Sequence, residues 1–273
     1  MERLFWQCTL PSRIRCSVSD FTILVQGKLH PRLRQAYPAY QAIGPVVVSY
    51  WEGDDESILD GLDVVRVKSP VPDVTASFNN QNVLLQAVST LEGALKVSTP
   101  YVIKVRTDES YTDLQPVVAA VLAETEKYTC LNVFVRAFKY YGVHPSDHLI
   151  GMRVGNIIAM FQQLLLHLRS WKHQTLDEIA NTMSSNPYIS VLDIKDYTFL
   201  KADGTHDRYG PPETMIGDAF LRVKGLNPQE ATVEMMKENF QIVNHQSVGF
   251  INKHGDLGPY DSLMPEINSL DEL

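Results

Sequence analysis

Within six residues, Lys104, Arg106, Asp108 and Glu109 bring two bases and two acids to the end of the apolar run formed by Tyr101, Val102, Ile103 and Val105. Carboxylate oxygens favour hard divalent cations, and a cation beside two bases suits a pyrophosphate-bearing ligand. Alternation along a strand puts residues 104, 106 and 108 on one face, where they can converge on a single ligand. Mutual pairing at a sheet edge explains the same four charges without any ligand, because ion pairs also cluster without function. Pro100 sets the run off, and its strand formers make it a buried strand. Open α/β sheets bind ligands outside the carboxyl ends of their strands, which is where these charges stand.

The surrounding pattern supplies such a sheet. Phe21-Thr-Ile-Leu-Val25 is an apolar strand that stops at Gln26 and Gly27, and a glycine there lets backbone approach a ligand closely. Val46-Val-Val-Ser-Tyr-Trp51 is a second buried strand, discharging into Glu52-Gly-Asp-Asp-Glu56. Residues 29–40 predict a short helix at most, broken by Pro31 and Pro38. A third strand covers 64–67, and prolines make 68–73 an extended loop. Residues 79–95 space Val83, Leu84, Ala87, Leu91, Ala94 and Leu95 as one helical face, with Asn79, Asn80, Gln81 and Asn82 crowding the first turn. Amides near that positive end cap the helix or hold phosphate or ribose. Beyond the 101–106 strand come a helix over 114–127, a strand over 131–135, a polar turn leading into a short strand over 143–153, and an apolar helix over 156–171. Helix over 176–183, strand over 189–192, loop over 201–212, a proline-started helix over 213–223 and one amphipathic helix at about 228–240 complete the pattern. Strands alternating with helices through the first half give the βαβ signature of a mostly parallel sheet.

Composition narrows the function classes. The chain has 273 residues, 44% of them hydrophobic, enough to bury a large core, either as one α/β domain or as a domain plus a smaller lobe. Lys and Arg number 24 against 32 Asp and Glu, and at a formal charge of -8 without a basic run, nucleic acid is excluded as a partner. Cys8, Cys16 and Cys130 have no CxxC or His-paired spacing, which argues against a disulfide framework or structural zinc and for a reducing compartment. No apolar run approaches the ~18 residues that span a bilayer, so the expectation is a cytoplasmic protein with at most peripheral membrane contact.

Four stretches, Val25-Gln-Gly27, Val48-Ser-Tyr-Trp-Glu-Gly53, Lys104-Val-Arg-Thr-Asp108 and His144-Pro-Ser-Asp147, resemble the WavE family in order and spacing, over roughly residues 20–220. That resemblance implies a GT-A-like fold, a mostly parallel Rossmann-type sheet flanked by helices with an irregular C-terminal, acceptor-side region. It implies one domain over 1–273, with a nucleotide-sugar-binding half at 20–135 and an acceptor-side half at 136–273. The activity implied is glycosyl transfer from a nucleoside-diphosphate sugar to a hydroxyl of a surface glycan such as lipopolysaccharide core.

GT-A enzymes typically hold the donor through a DxD-type motif and a divalent cation, Mn2+ or Mg2+. Thr107-Asp-Glu109 fills that place here, so a strict DxD is absent; Asp108 takes the ligand role, with Glu109 second and His245 a third candidate. With no cation, Lys104 and Arg106 would neutralise the departing diphosphate themselves. Gln26 and Gly27 would lie under base or ribose, Ser49, Asn79 and Gln81 would add donor contacts, and Trp51 or Tyr50 would stack on the base. Asp147 and Glu213 compete equally as the base that activates the acceptor. Each has an ordinary local explanation too, an Asx turn for Asp147 and dipole complementation for Glu213. Two other functions use the same residues. One is a sugar-phosphate nucleotidyltransferase of related fold, for which Gln26-Gly-Lys28 is a poor phosphate loop. The other is a non-catalytic glycan-binding protein, which has no need of the charges after residue 104.

Overall fold

The computed structural model describes residues 20–72, 81–133, 135, 143–171 and 212–251. β1 (Phe21–Gln26) and β2 (Val46–Trp51) are buried along their whole length, as unbroken apolar runs require when both faces of a sheet are covered. With β3 (Val65–Ser69), β4 (Tyr101–Arg106), β5 (Tyr128–Leu131), β6 (Ile150–Arg153) and β7 (Phe240–Val243) they form one seven-stranded sheet, ordered β3-β2-β1-β4-β6-β5-β7. β1 pairs in parallel with β2 and β4, β2 with β3, and β5 with β7, while β6 runs antiparallel to β4 and β5. The mostly parallel sheet expected from the sequence is therefore present, and strands from both halves of the chain build it.

Helices α1 (Arg32–Gln41) and α3 (Gln115–Ala123) cover one face, over a core that includes Ile23, Val25, Tyr40, Ile103 and Val117. Helices α2 (Gln81–Ala94), α4 (Val154–Trp171), α5 (Pro212–Val223) and α6 (Val233–Asn239) lie on the side of Leu24, Val102, Ile150, Phe161 and Phe220. Among the described residues no helix is long and apolar enough to cross a membrane.

Registry places the strand ends. Gln26 aligns with both Ser49 and Arg106, so β1 and β4 finish level while β2 runs on to Trp51. Because β6 is antiparallel, with Ile150 opposite Lys104, the segment 143–149 that enters it arrives at that same end.

Several boundaries differ from the sequence reading. Helix α1 runs through Pro38, since burial of Leu33, Ala36, Tyr37 and Tyr40 outweighs one lost backbone hydrogen bond. Helix α3 stops at Ala123, where Glu124 leaves helical geometry. β5 lies at 128–131 rather than 131–135: Val133 and Val135 are buried, but the hydrogen-bonded register joins Tyr128–Leu131 to β7. The single helix expected at 228–240 divides into a 3-10 turn, Pro228–Glu230, and α6, which Thr232 caps by accepting the Met235 N–H at 3.1 Å; Phe240 then starts an unforeseen strand. Expectations for 176–183, 189–192 and 201–211 lie outside the described residues, as does Asn79.

Candidate functional site

A cleft of about 590 Å³ opens at the carboxyl ends of β1, β2 and β4 and is lined by Gln26, Gly27, Trp51, Gln86, Ser89, Arg106, Asp108, Asp147, His148 and Glu213, among others. Its floor follows from local backbone chemistry. Gly27 has φ +114, a conformation that a side chain would strain, and it turns the chain sharply out of β1. Thr107 Oγ1 donates to the Lys28 carbonyl at 2.5 Å and Thr107 N–H to the Gln26 carbonyl at 3.1 Å, tying the exits of β1 and β4 together. Gln26 is fixed from the helix side, its Oε1 accepting from Ser89 Oγ of α2 at 2.8 Å.

One wall is the loop entering β6. Tyr128 OH donates to the Ser146 carbonyl at 2.9 Å, and Lys104 Nζ and Gln86 Nε2 both donate to the Asp147 carbonyl, at 2.6 and 3.4 Å. The start of α5 packs against that loop because Gly217 has no side chain: a Cβ there would stand 2.7 Å from both Pro145 Cδ and Val143 Cγ1. That approach brings Glu213 Oε2 to 4.0 Å from Nε2 of the buried His144.

Charge is concentrated after β4. Arg106 binds Asp108 by two bonds, Nε to Oδ1 at 3.0 Å and Nη2 to Oδ2 at 3.1 Å. Its Nε also lies 3.3 Å from Glu109 Oε1. That same Oε1 bonds His148 Nδ1, while Oε2 accepts from Tyr111 OH at 3.0 Å. On its other side His148 Nε2 is 3.9 Å from Asp147 Oδ1.

These neighbours set the ionisation. Burial opposes charge on Arg106, but Glu109, Asp108 and Asp147 push its pKa above the ordinary guanidinium value. Burial likewise disfavours charged His148, and Glu109 and Asp147 overcome it, raising the imidazole so that it holds both protons more readily. Burial would raise Asp147; the charges of His148, Lys104 and Arg106 and a bond from Gln86 instead hold it below the usual carboxylate range. Burial lowers Lys104 to about 8, so it keeps its charge at neutral pH.

The structure brings together Gln26, Gly27, Trp51, Arg106, Asp108, Asp147 and Glu213 from the residues singled out in the sequence. Lys104 is fully buried and reaches the cleft only through the Asp147 backbone. Ser49 is buried against α2, near Gly93, and Tyr50 is in the core beside α1, so neither lines the cleft. Gln81 starts α2. His245 follows β7, where Asn132 Oδ1 accepts its N–H at 2.7 Å and meets its Nδ1 at 2.8 Å. The late segment does touch the site, but through Phe250, whose ring packs edge-on against His148 at 6.0 Å. His148, Gln86 and Phe250 are the residues that sequence reasoning missed. The signal for His148 was its place directly after Asp147.

As arranged, the acids do not make a cation site. Both Asp108 oxygens receive Arg106, both Glu109 oxygens are engaged, and among the described residues no three His, Cys, Asp or Glu stand together as a metal-holding group.

A family model described as WavE lipopolysaccharide synthesis matches residues 29–252. No curated protein matches the sequence. Similar solved structures include an active-site mutant of LgtC, at 10% identity over 64% of this chain and 69% of that one with a TM-score of 0.39. Mouse xyloside xylosyltransferase 1 in its apo form is 12% identical over 82% of this chain and 85% of that one, TM-score 0.38. HddC from Yersinia pseudotuberculosis is 10% identical over 50% and 78%, TM-score 0.33. Scores this low support no inference about function.

Proposed function

The chain belongs to the WavE lipopolysaccharide synthesis family, and from that premise we propose that it is a glycosyltransferase using a nucleoside-diphosphate-sugar donor and a glycan hydroxyl acceptor. The observation that supports this best is the cleft itself, where a cationic side chain from β4 and carboxylates from two other segments line one space of about 590 Å³. Such a volume suits a sugar nucleotide.

Arg106 is assigned the diphosphate, because charge developing on the leaving group is the main electrostatic demand of the reaction. Gln26, Gly27 and Trp51 are assigned the nucleoside, Trp51 offering a ring face. Lys104 becomes a positioning residue that fixes the Asp147 backbone. Of the two candidate bases, Glu213 is favoured: Asp147 is surrounded by His148, Lys104 and Arg106, which hold its proton affinity down, whereas Glu213 lines the same cleft from the start of α5. The acceptor oxygen attacks the anomeric carbon and its proton passes to Glu213. The bond from that carbon to the diphosphate oxygen breaks, and nucleoside diphosphate departs. No step is routed through a cation, since Asp108 and Glu109 are held by Arg106, His148 and Tyr111. A cytoplasmic location fits the buried free thiol of Cys130.

The test is release of nucleoside diphosphate from UDP-, GDP-, CDP- and dTDP-sugars, each with and without manganese. One base should support release, and Glu213→Gln should lower transfer about 10²-fold with donor binding kept. Absence of release from every donor, with folded protein and a glycan acceptor supplied, refutes the reading.

A further inference from the structure

Glu109 is 2% exposed, yet its carboxylate meets three side chains, Arg106 and Tyr111 of its own stretch and His148 from the loop entering β6. Oε1 is shared by Arg106 Nε at 3.3 Å and His148 Nδ1, and Oε2 accepts from Tyr111 OH at 3.0 Å. Arg106 and His148 line the cleft, whereas Glu109 does not. Two cleft-facing bases from elements about forty residues apart in sequence are thus aligned on one buried oxygen. Phe250 packs edge-on against the imidazole at an interplanar angle of 80°, restricting its rotation. With Nδ1 held by Glu109, the opposite ring edge, bearing Nε2, lies 3.9 Å from Oδ1 of Asp147, which lines the same cleft. Arg106 engages Asp108 and Glu109 through Nε and Nη2.

We propose that His148 and Arg106, both aligned by Glu109, form the pair that grips the donor diphosphate, and that Glu109 is a buried positioning residue for this pair. The inference rests on the glycosyltransferase reading. A single guanidinium offers a phosphate group one planar fork, whereas a second donor held at a fixed angle reaches a second set of oxygens. Burying a carboxylate under that pair is expensive unless its partners satisfy it, and here three donors do.

The experiment measures, by calorimetric titration, the affinity of the parent chain, His148→Asn and Glu109→Gln for UDP, GDP, CDP and dTDP and for the four matching nucleosides. Asn keeps a donor where Nδ1 stands and removes the Nε2 edge; Gln keeps the shape of Glu109 and removes its charge. For the diphosphate that binds the parent, both variants should lose about 10-fold or more in affinity while nucleoside affinity stays unchanged. Unchanged diphosphate affinity in His148→Asn overturns the inference and leaves the glycosyltransferase reading standing. A parallel loss for nucleoside and diphosphate makes the cluster merely structural and also overturns it. If no diphosphate binds the parent, the glycosyltransferase reading fails first and the inference with it.

Discussion

β2 and β4 flank β1 on either side, and each runs from apolar residues straight into charge, yet the two charged ends have different fates. After β2, Asp54 Oδ2 accepts the backbone N–H of Leu29 at 2.9 Å and of Trp51 at 3.2 Å, and Asp55 caps the next turn through Ser57. Glu56 meets Lys68 at 2.8 Å, with both side chains more than a third exposed. Each of these bonds shapes a loop or sits in water. After β4, Arg106 pairs with Asp108 and Glu109, Glu109 binds His148 and Lys104 binds the Asp147 carbonyl, both on the loop brought in by the antiparallel β6. The lesson is that an acidic strand end becomes a candidate site when the topology delivers partners from elsewhere in the chain. Sequence spacing alone does not distinguish the two.

That contrast can be broken by mutation. The largest effect is expected for Glu109→Ala, which leaves Arg106 and His148 without their shared oxygen and strips Tyr111 of its acceptor; chemical denaturation should show a loss of about 3–5 kcal/mol. Little loss would mean the β4 end is as dispensable as the β2 end. Arg106→Gln should reduce donor turnover by about 10²-fold, read as nucleoside diphosphate release.

A smaller effect tests whether burial, rather than the presence of acid, sets the energetics. Burial pushes the Asp218 carboxyl of α5 from 3.8 up to about 7, with Arg222 partly opposing the shift. A raised pKa means the folded state binds the proton more tightly than the unfolded state. This group's stabilisation is therefore complete below pH 3.8 and disappears as pH rises through about 7. Asp218→Asn should accordingly be more stable than the parent at pH 8, by about 2 kcal/mol, with the gap closing near pH 4. An equal difference at both pH values would contradict the assignment. Least of all is expected from Glu56→Gln: its melting temperature and donor turnover should match the parent within error, and a loss of turnover would move the site toward β2.

Much of this architecture was legible in the sequence, because the mostly apolar runs at 21–25, 46–51 and 101–105 favour buried parallel strands. The charge after residue 104 was legible too, with Arg106, Asp108, Asp147 and Glu213 all reaching one cleft. What sequence could not supply is which partners those charges take. His148 and Glu109 lie 39 residues apart and meet only because β6 reverses direction beside β4. Strand alternation correctly put Lys104 on the face of Arg106, but depth along the strand, set by registry with β6, sends it under the Asp147 carbonyl. Short β7 escaped because Phe240-Gln-Ile-Val243 is too brief for any periodicity to show.

The central claim is that the β4 end, and not the β2 end, binds a nucleoside diphosphate. Thermal denaturation of the parent, Arg106→Gln and Glu56→Gln with saturating UDP, GDP, CDP or dTDP tests it most directly. A ligand at about a hundred times its Kd adds about 2.7 kcal/mol, which for a chain of this size raises Tm by about 5–10 °C. The account predicts that rise with one of the four in the parent and in Glu56→Gln, and its loss in Arg106→Gln. A flat response in the parent, or an equal rise in Arg106→Gln, would contradict it.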